Sequence, residues 1–413
     1  MSEPTAFPIP ADTLPALAEI AEWLERTALR GVPSLELVSG LGERLVAEGI
    51  PLSRMTAMVD TLHPVHEGSV FRWVAGGEGA STVTYERDYD VAGWQATAYY
   101  HLDRYGLPAY RERLHPDQEP QLETLRGFRD QGYRDYLVAV ERFEDSGSVG
   151  EMTCIYSSWM TQAPEGFSEA AIATILRLSP VLALALKCQE LHGISATIAA
   201  TYLGRNAAAQ VMQGRILRGV ASEIEAVLWS SDLMGFTAHS EALEPSELIP
   251  FLNVYGGALV QAIHGEGGDV LKFMGDGLLA IFPVEGDPAA ACLAALRAER
   301  EARRLVGEVN AQRTTAGQRV TDFYVALHLG RVYFGNIGSP DRLDFTVIGP
   351  TVNEASRIMA LCSSVRRPLL LSERFAGTVM GADSEPTPEL PLASVGRFAL
   401  RGVSEAQHLY TLA

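Results

Sequence analysis

Apolar residues recur at three- and four-residue spacing over residues 11–29 and 34–49, which predicts two helices near the start of the chain. From about residue 55 the pattern shortens. RMTAMVDTL, VFRWVAG, STVTYERD, YLVAVERF and EMTCIYSSWM are brief apolar or alternating runs, and they predict strands as far as about residue 160. PEGFSEAAIATILRLSPVLALALKCQEL returns to a helical pattern, with Ser168 placed to cap it and Pro180 placed to kink it. GISATIAATYLGRNAAAQVMQGRILRG then reads as an Ala-rich helical connector. Beyond about residue 221 strands and helices alternate. The expected division is one domain over residues 1–190, a connector over 191–220 and a second domain over 221–413.

In the second domain, GGDVLKFMGDGLLAIF (residues 267–282) predicts a hairpin with apolar arms, yet it holds Lys272 in one arm and Asp276 at the tip. Gly275 and Gly277 flank the aspartate, so the chain can turn tightly and leave the carboxylate exposed. The lysine stands out against the composition. Arginine supplies 31 of the 33 basic residues (33 − 2), and Lys187 is the only other lysine. Alone, Gly-Asp-Gly is an ordinary turn.

AVLWSSDLMGFTAHSE supplies a second carboxylate. Val227, Leu228 and Trp229 read as a buried strand, Asp232 lies near its end, and the chain turns through Gly235 towards a helix. N–H groups at such a turn hold phosphate oxygens, and a carboxylate before them holds the accompanying cation. The plainer reading makes Asp232 a helix cap. Two carboxylates at neighbouring strand ends suit a pair of hard divalent ions acting at phosphorus. In HLGRVYFGNIGSPDRLDFTVIGPTVNEASRI, a strand runs into Gly-rich turns, then a second strand, then a helix from about Thr351. Asn353 and Arg357 are four apart and share a helix face. An amide beside a guanidinium suits an anionic, ribose-bearing ligand, although a solvated face is the plainer account.

Apolar residues make up 47% and charged residues 20%, as in ordinary globular chains. The formal charge of −18 argues against a nucleic-acid or anionic-membrane surface. Cys154, Cys188, Cys292 and Cys362 are widely spaced without a CxxC, which suits reduced thiols. MSEPTAFPIPADTLP has no basic-then-apolar leader pattern, and the run PVLALAL is too short to span a bilayer. The expectation is a cytoplasmic protein with no transmembrane segment.

SDLMGFT, LKFMGDGLLAIF, GNIGSPDRLDFTVIG and TVNEASRI, in that order and spacing, resemble the class III nucleotidyl cyclases, and GRFALRGVSEAQHLYTL is similar to their closing strand pair. The resemblance covers about residues 221–413. It implies an α+β fold, a ferredoxin-like catalytic domain with a central, mostly antiparallel sheet. It also implies conversion of a nucleoside triphosphate to a 3′,5′-cyclic monophosphate and pyrophosphate with two divalent ions, Mg2+ or Mn2+. Asp232 and Asp276 match the metal-binding aspartates, and Phe236 and Thr237 fall where backbone amides cradle the triphosphate. Asn353 matches the ribose-orienting asparagine, and Arg357 matches the arginine that neutralises charge developing at the α-phosphate. Arg401 falls where the family often places a basic residue on the terminal phosphate, while Pro350 departs from a frequent aspartate.

Lys272 and Thr346 match the base-reading positions. Adenine presents an acceptor at N1 and a donor at N6; a lysine donates and a threonine hydroxyl can accept. Guanine presents the opposite order, so ATP is the expected substrate, with a cyclase of other base preference as the alternative. Family catalytic domains pair head to tail, each site taking metal aspartates from one subunit and base-reading residues from the other. The expected assembly is a symmetric homodimer with two shared sites.

Residues from about 30 to 190 resemble, in their strands framed by helices, a GAF-type α/β sensory domain, which implies a small-molecule or protein regulator. Trp73, Trp94, Tyr99, Tyr100 and Tyr105 either line a pocket or, more ordinarily, fill a core. His63 and His66 have metal-like spacing, but no matching Cys/His pair follows. GGDVLKF is superficially like the GGDEF signature of diguanylate cyclases, but Val270 and Leu271 occupy its last two places and SDLMGFT has no counterpart there. A non-enzymatic nucleotide-binding module would be favoured by loss of a metal aspartate, Asn353 or Arg357, and all are present.

Overall fold

The computed structural model describes residues 12–61, 66–77, 79–86, 91–144, 152–217, 219, 221–381, 391–403 and 405–413. The chain divides into two compact units, Met1–Ile198 and Ala199–Ala413.

The first unit opens with helices α1 (Leu17–Leu29) and α2 (Ser34–Ala47), followed by strands β1 (Arg54–Asp60), β2 (His66–Val74) and β3 (Ala80–Glu86). Short helices α3 (Val91–Gln95) and α4 (Ala98–Tyr105) lead to β4 (Ala109–Arg113), α5 (Arg126–Asp130), β5 (Asp135–Arg142) and β6 (Cys154–Thr161). The strands make one antiparallel sheet in the order β3-β2-β1-β6-β5-β4. Alternation along β5 shows why both faces are covered. Leu137 and Ala139 join a core with α1 and α2, while Tyr136, Val138 and Val140 join a second with α4. Trp73 belongs to the first core, and Trp94 and Tyr99 pack on Tyr156 beside the second. Tyr100 is half-buried and Tyr105 is exposed. His66 begins β2; His63 lies outside the described residues.

Helix α6 (Glu169–Leu203) is longer than the apolar run PVLALAL suggests, because Pro180 sits inside it without ending it. The Ser168 hydroxyl accepts from the N–H of Ala171 at 3.2 Å, as a capping residue should. By length and composition this helix could cross a membrane, yet 67% of its most apolar window is buried inside the fold.

The second unit continues with α7 (Arg205–Met212), β7 (Ala221–Leu233), α8 (Phe236–Ala242) and α9 (Pro245–Gly265). Next come β8 (Asp269–Met274), β9 (Gly277–Pro283), α10 (Pro288–Thr315) and β10 (Phe323–Gly338). The chain closes with β11 (Leu343–Ile348), α11 (Pro350–Val365), β12 (Leu369–Ser372), α12 (Glu373–Met380), β13 (Leu392–Phe398) and β14 (Gln407–Leu412). The described strands form an eight-stranded sheet, β13-β14-β12-β10-β7-β9-β8, with β11 added to β10. Its pairings are antiparallel except β10 with β12. This is the expected α+β architecture. Val227 and Trp229 point to a core shared with α9, α10 and α12, whereas Ala226 and Leu228 point to one shared with α7. Truncating Leu228 to alanine would cost about 2–5 kcal/mol.

Two details shape the site. β10 runs unbroken through the glycines at 330, 335 and 338, where the sequence pattern predicts turns. Pairing with β7 over thirteen residues and with β11 at its far end holds that stretch extended. At the start of the unit, the Asp269 carboxylate accepts the N–H groups of Arg205 and Asn206 at 3.0 and 3.1 Å, fixing α7 to the end of β8. Gly204 fits there because a Cβ would lie 2.7 Å from the carbonyl oxygen of Val270.

Candidate active site

β7 is buried from Ala226 to Ser231 and delivers Asp232 one residue before its end. The β8–β9 hairpin is paired to the same strand through β9, with Ser231 opposite Leu278. Its turn is Gly275-Asp276, and Gly275 has φ +68°, the left-handed region open to glycine. Asp276 thereby stands beside Asp232. Burial, then the Asp276 carboxylate beside it, push the Asp232 carboxyl up to about 7. Neither aspartate forms an ion pair with a described residue. Like charges held together without a protein cation fit a hard divalent ion, which takes one or two carboxylates and completes its shell with water and phosphate oxygens. Among the described residues there is no cluster of three or more His, Cys, Asp or Glu.

The cap reading of Asp232 is not what the structure shows: α8 has Gly235 at its N-cap and no side-chain cap. Phe236 and Thr237 open that helix, where N–H groups have no partner further back in the helix.

Helix α11 starts with Pro350 in its first turn, a position that needs no N–H donor. Thr351 donates its hydroxyl to the carbonyl of Arg331 at 2.7 Å and anchors the helix to β10. Asn353, Glu354 and Arg357 line a cavity of about 660 Å³ with Gly349, Gly402 and Val403. Glu354 reaches His328 of β10, with 3.3 Å between Oε2 and Nε2. That hydrogen bond, with Arg357 nearby, holds the Glu354 carboxyl below its ordinary range. Arg401 is exposed on the turn beside this cavity and does not line it.

The third group forms where β11 meets β8. A bulge at Leu271 breaks the β8–β9 register, so Leu271 is buried while Lys272 reaches outwards. The Lys272 ammonium donates to Asp344 on β11 at 2.8 Å. Thr346, two residues along the strand, is 6% exposed, and its hydroxyl has no hydrogen-bond partner. Among the described residues no hydrogen bond or ion pair joins these three groups: Asp232 with Asp276, Asn353 with Arg357, and Lys272 with Thr346.

Sequence reasoning missed Asp344 and the His328–Glu354 pair. Asp344 carries a signal in hindsight, since strand alternation places it on the same face as Thr346.

No family model matches the chain. It is 34% identical over 155 residues to the adenylate cyclase of Anabaena cylindrica, covering 38% of this chain and 31% of that protein. It is 29% identical over 185 residues to the terminal-differentiation-specific adenylate cyclase of Dictyostelium discoideum, covering 44% of this chain and 8% of that protein. These likenesses bear out the resemblance to the class III nucleotidyl cyclases. An uncharacterised protein of Mycobacterium tuberculosis is similar over a longer stretch, 29% identical over 266 residues, or 59% of this chain and 46% of that one. The chain thus spans less than half the length of each of these relatives. Among solved structures, the adenylyl cyclase CyaB from P. aeruginosa superposes with a TM-score of 0.42 and 24% identity, over 47% of this chain and 96% of that one. The guanylyl cyclase Cya2 gives a TM-score of 0.40 and 26% identity, over 47% and 93%. The last strand pair of the chain is β13 with β14.

Proposed function

We propose that this protein is an adenylate cyclase, converting ATP to 3′,5′-cyclic AMP and pyrophosphate at two sites shared across a symmetric homodimer. The observation that carries the reading is the Asp232–Asp276 pair, two carboxylates pressed together without a protein cation. Both aspartates would hold divalent ions, Mg2+ or Mn2+, which when bound supply Lewis-acid activation of the ribose 3′-oxygen and of the phosphates.

The other roles belong to the chain. The N–H groups of Phe236 and Thr237 hold phosphate oxygens. Asn353 orients the ribose, and the Arg357 guanidinium, one turn further on the same helix, neutralises charge that develops at the α-phosphate. Arg401, exposed on its turn, reaches the terminal phosphate. Lys272 donates to adenine N1, and the unpaired Thr346 hydroxyl accepts from N6. Lys272 and Asp276 lie four residues apart on one hairpin, and in the shared arrangement each serves a different site of the dimer. The first unit is the regulatory part, a GAF-like sensor.

The test is direct. Purified full-length chain is incubated with ATP, GTP, CTP or UTP and Mg2+ or Mn2+, and cyclic product is resolved by chromatography. Cyclic AMP formed faster than any other cyclic nucleotide is the expected result. No cyclic product from any of the four overturns the function, and equal rates with GTP overturn the base assignment.

A further inference from the structure

We infer that Arg54 and Arg72 form an oxyanion-binding site within the first unit, for a small ligand that carries a carboxylate or a phosphate. The sheet brings the two arginines together. Thr56 pairs with Arg72 across β1 and β2, and Arg54 stands two residues from Thr56, so the arginines are diagonal neighbours on one face. Met55, Ala57, Phe71 and Trp73 point from the other face into the first core. Ser158 of β6 continues the row beyond Thr56, and its hydroxyl accepts from that of Tyr99 at 3.1 Å. The Arg54 guanidinium carbon lies 5.1 Å from the ring centre of Phe128. Trp94 and Tyr156 pack on Tyr99, with ring centres 6.2 and 5.1 Å from it. Two guanidiniums thus share one face with two hydroxyl-bearing residues and an aromatic wall.

No carboxylate answers these cations. Among the described residues neither arginine forms an ion pair, and Nε of each is enclosed without a hydrogen-bond partner. Other charges on this sheet are matched. Arg111 and Arg113 close on Asp135, and Asp60, at the far end of β1, accepts from the Tyr85 hydroxyl. Burial, then the charge of Arg72, draws the Arg54 pKa down. Holding two unpaired cations together costs stability, and a bound anion recovers it. The planar fork of arginine matches a carboxylate or a phosphate through two parallel N–H···O bonds. Both side chains are half-buried, so an anion can reach them from solvent while the surroundings strengthen those bonds. The aromatic wall favours an anion with a ring or an apolar body.

Titration calorimetry on the full chain tests this with benzoate and phenyl phosphate, against sodium chloride at equal ionic strength. One or both organic anions should bind saturably with a Kd of about 1 mM or tighter, and chloride should not. Benzoate alone identifies a carboxylate ligand, and phenyl phosphate alone a phosphate ligand. Arg72→Met should weaken that binding about tenfold or more, and Arg72→Lys, which keeps the charge without the fork, should recover part of it. Without ligand, Arg72→Met should melt no lower than wild type, because an unpaired cation is gone. An arginine that only supports the fold would instead lower Tm. Any one of three results overturns the inference: no saturable binding of either anion, binding unchanged in Arg72→Met, or a Tm of that variant more than about 2 °C below wild type. Cyclic AMP formation plays no part in these readouts, so their failure leaves the cyclase function standing.

Discussion

A side chain on Gly277 would place its Cβ 2.2 Å from the carbonyl oxygen of Ser231 and 3.1 Å from Oδ1 of Asp232. The hairpin tip and the end of β7 are in such close register that only a hydrogen fits between them. The glycine after Asp276 is thus as much a part of the carboxylate pair as either acid.

Gly277→Ala should therefore push the two strands apart. Overpacking of this kind costs about 1–3 kcal/mol of stability. Displacing Asp276 by about an ångström should lower turnover roughly 100-fold, a larger effect than the stability loss explains. Melting temperature and initial rate, measured on the same sample, check both. Wild-type turnover would show that the tip has room the geometry denies.

Asp232→Ala and Asp276→Ala should each cut cyclic AMP formation to below about one part in 10³, because several kcal/mol of transition-state stabilisation would go with the lost ligand. Folding should survive, since each substitution relieves repulsion between the two carboxylates. Circular dichroism beside product chromatography makes the comparison. Near wild-type cyclisation by either variant refutes the assignment.

The His328–Glu354 pair predicts a pH dependence. Glu354 titrates below its unfolded range because His328 hydrogen-bonds its charged form, so its contribution is present above the ordinary glutamate pKa of about 4.3. It is lost as pH falls through the depressed value. The stability difference between wild type and Glu354→Gln, from urea melts, should be clear at pH 7 and shrink towards pH 3. A difference that stays constant over that range removes the ionic account of the pair.

A mixing experiment tests the shared sites. Asp276→Ala and Asn353→Ala homodimers should be nearly inactive alone. In a mixed dimer one site collects both lesions and the other collects neither. Random exchange of equal amounts gives about half heterodimers, so activity should return to roughly a quarter of wild type. Exchange is shown independently by pull-down of tagged chains; exchange without recovery places each site within one subunit.

Much of this domain is legible in the sequence because its signals are local. Gly275, Asp276 and Gly277 announce the turn by residue type, and the apolar run from Val227 to Trp229 announces a strand that ends near Asp232. Asn353 and Arg357 share a helix face by spacing alone. What escapes is set by long-range pairing. The glycines of β10 look like turns until β7 and β11 flank them. The Leu271 bulge exists only against β9, and Asp344 meets Lys272 only after the β10–β11 hairpin packs on Leu271. The cap reading of Asp232 fails for a similar reason, since the chain extends through Leu233 before it turns.

The Asp269 clamp fixes one end of β8. The polypeptide passes from one unit to the other once, along α6, and Gly204 joins α6 to α7. The N–H groups of Arg205 and Asn206, which open α7, both donate to the carboxylate of the first residue of β8. Three residues on, about 10 Å of extended chain, stands Lys272, and the same strand runs out to the Asp276 turn. The carbonyl of Val270 leaves no room for a side chain at Gly204, so β8 is anchored at the end farthest from the carboxylates.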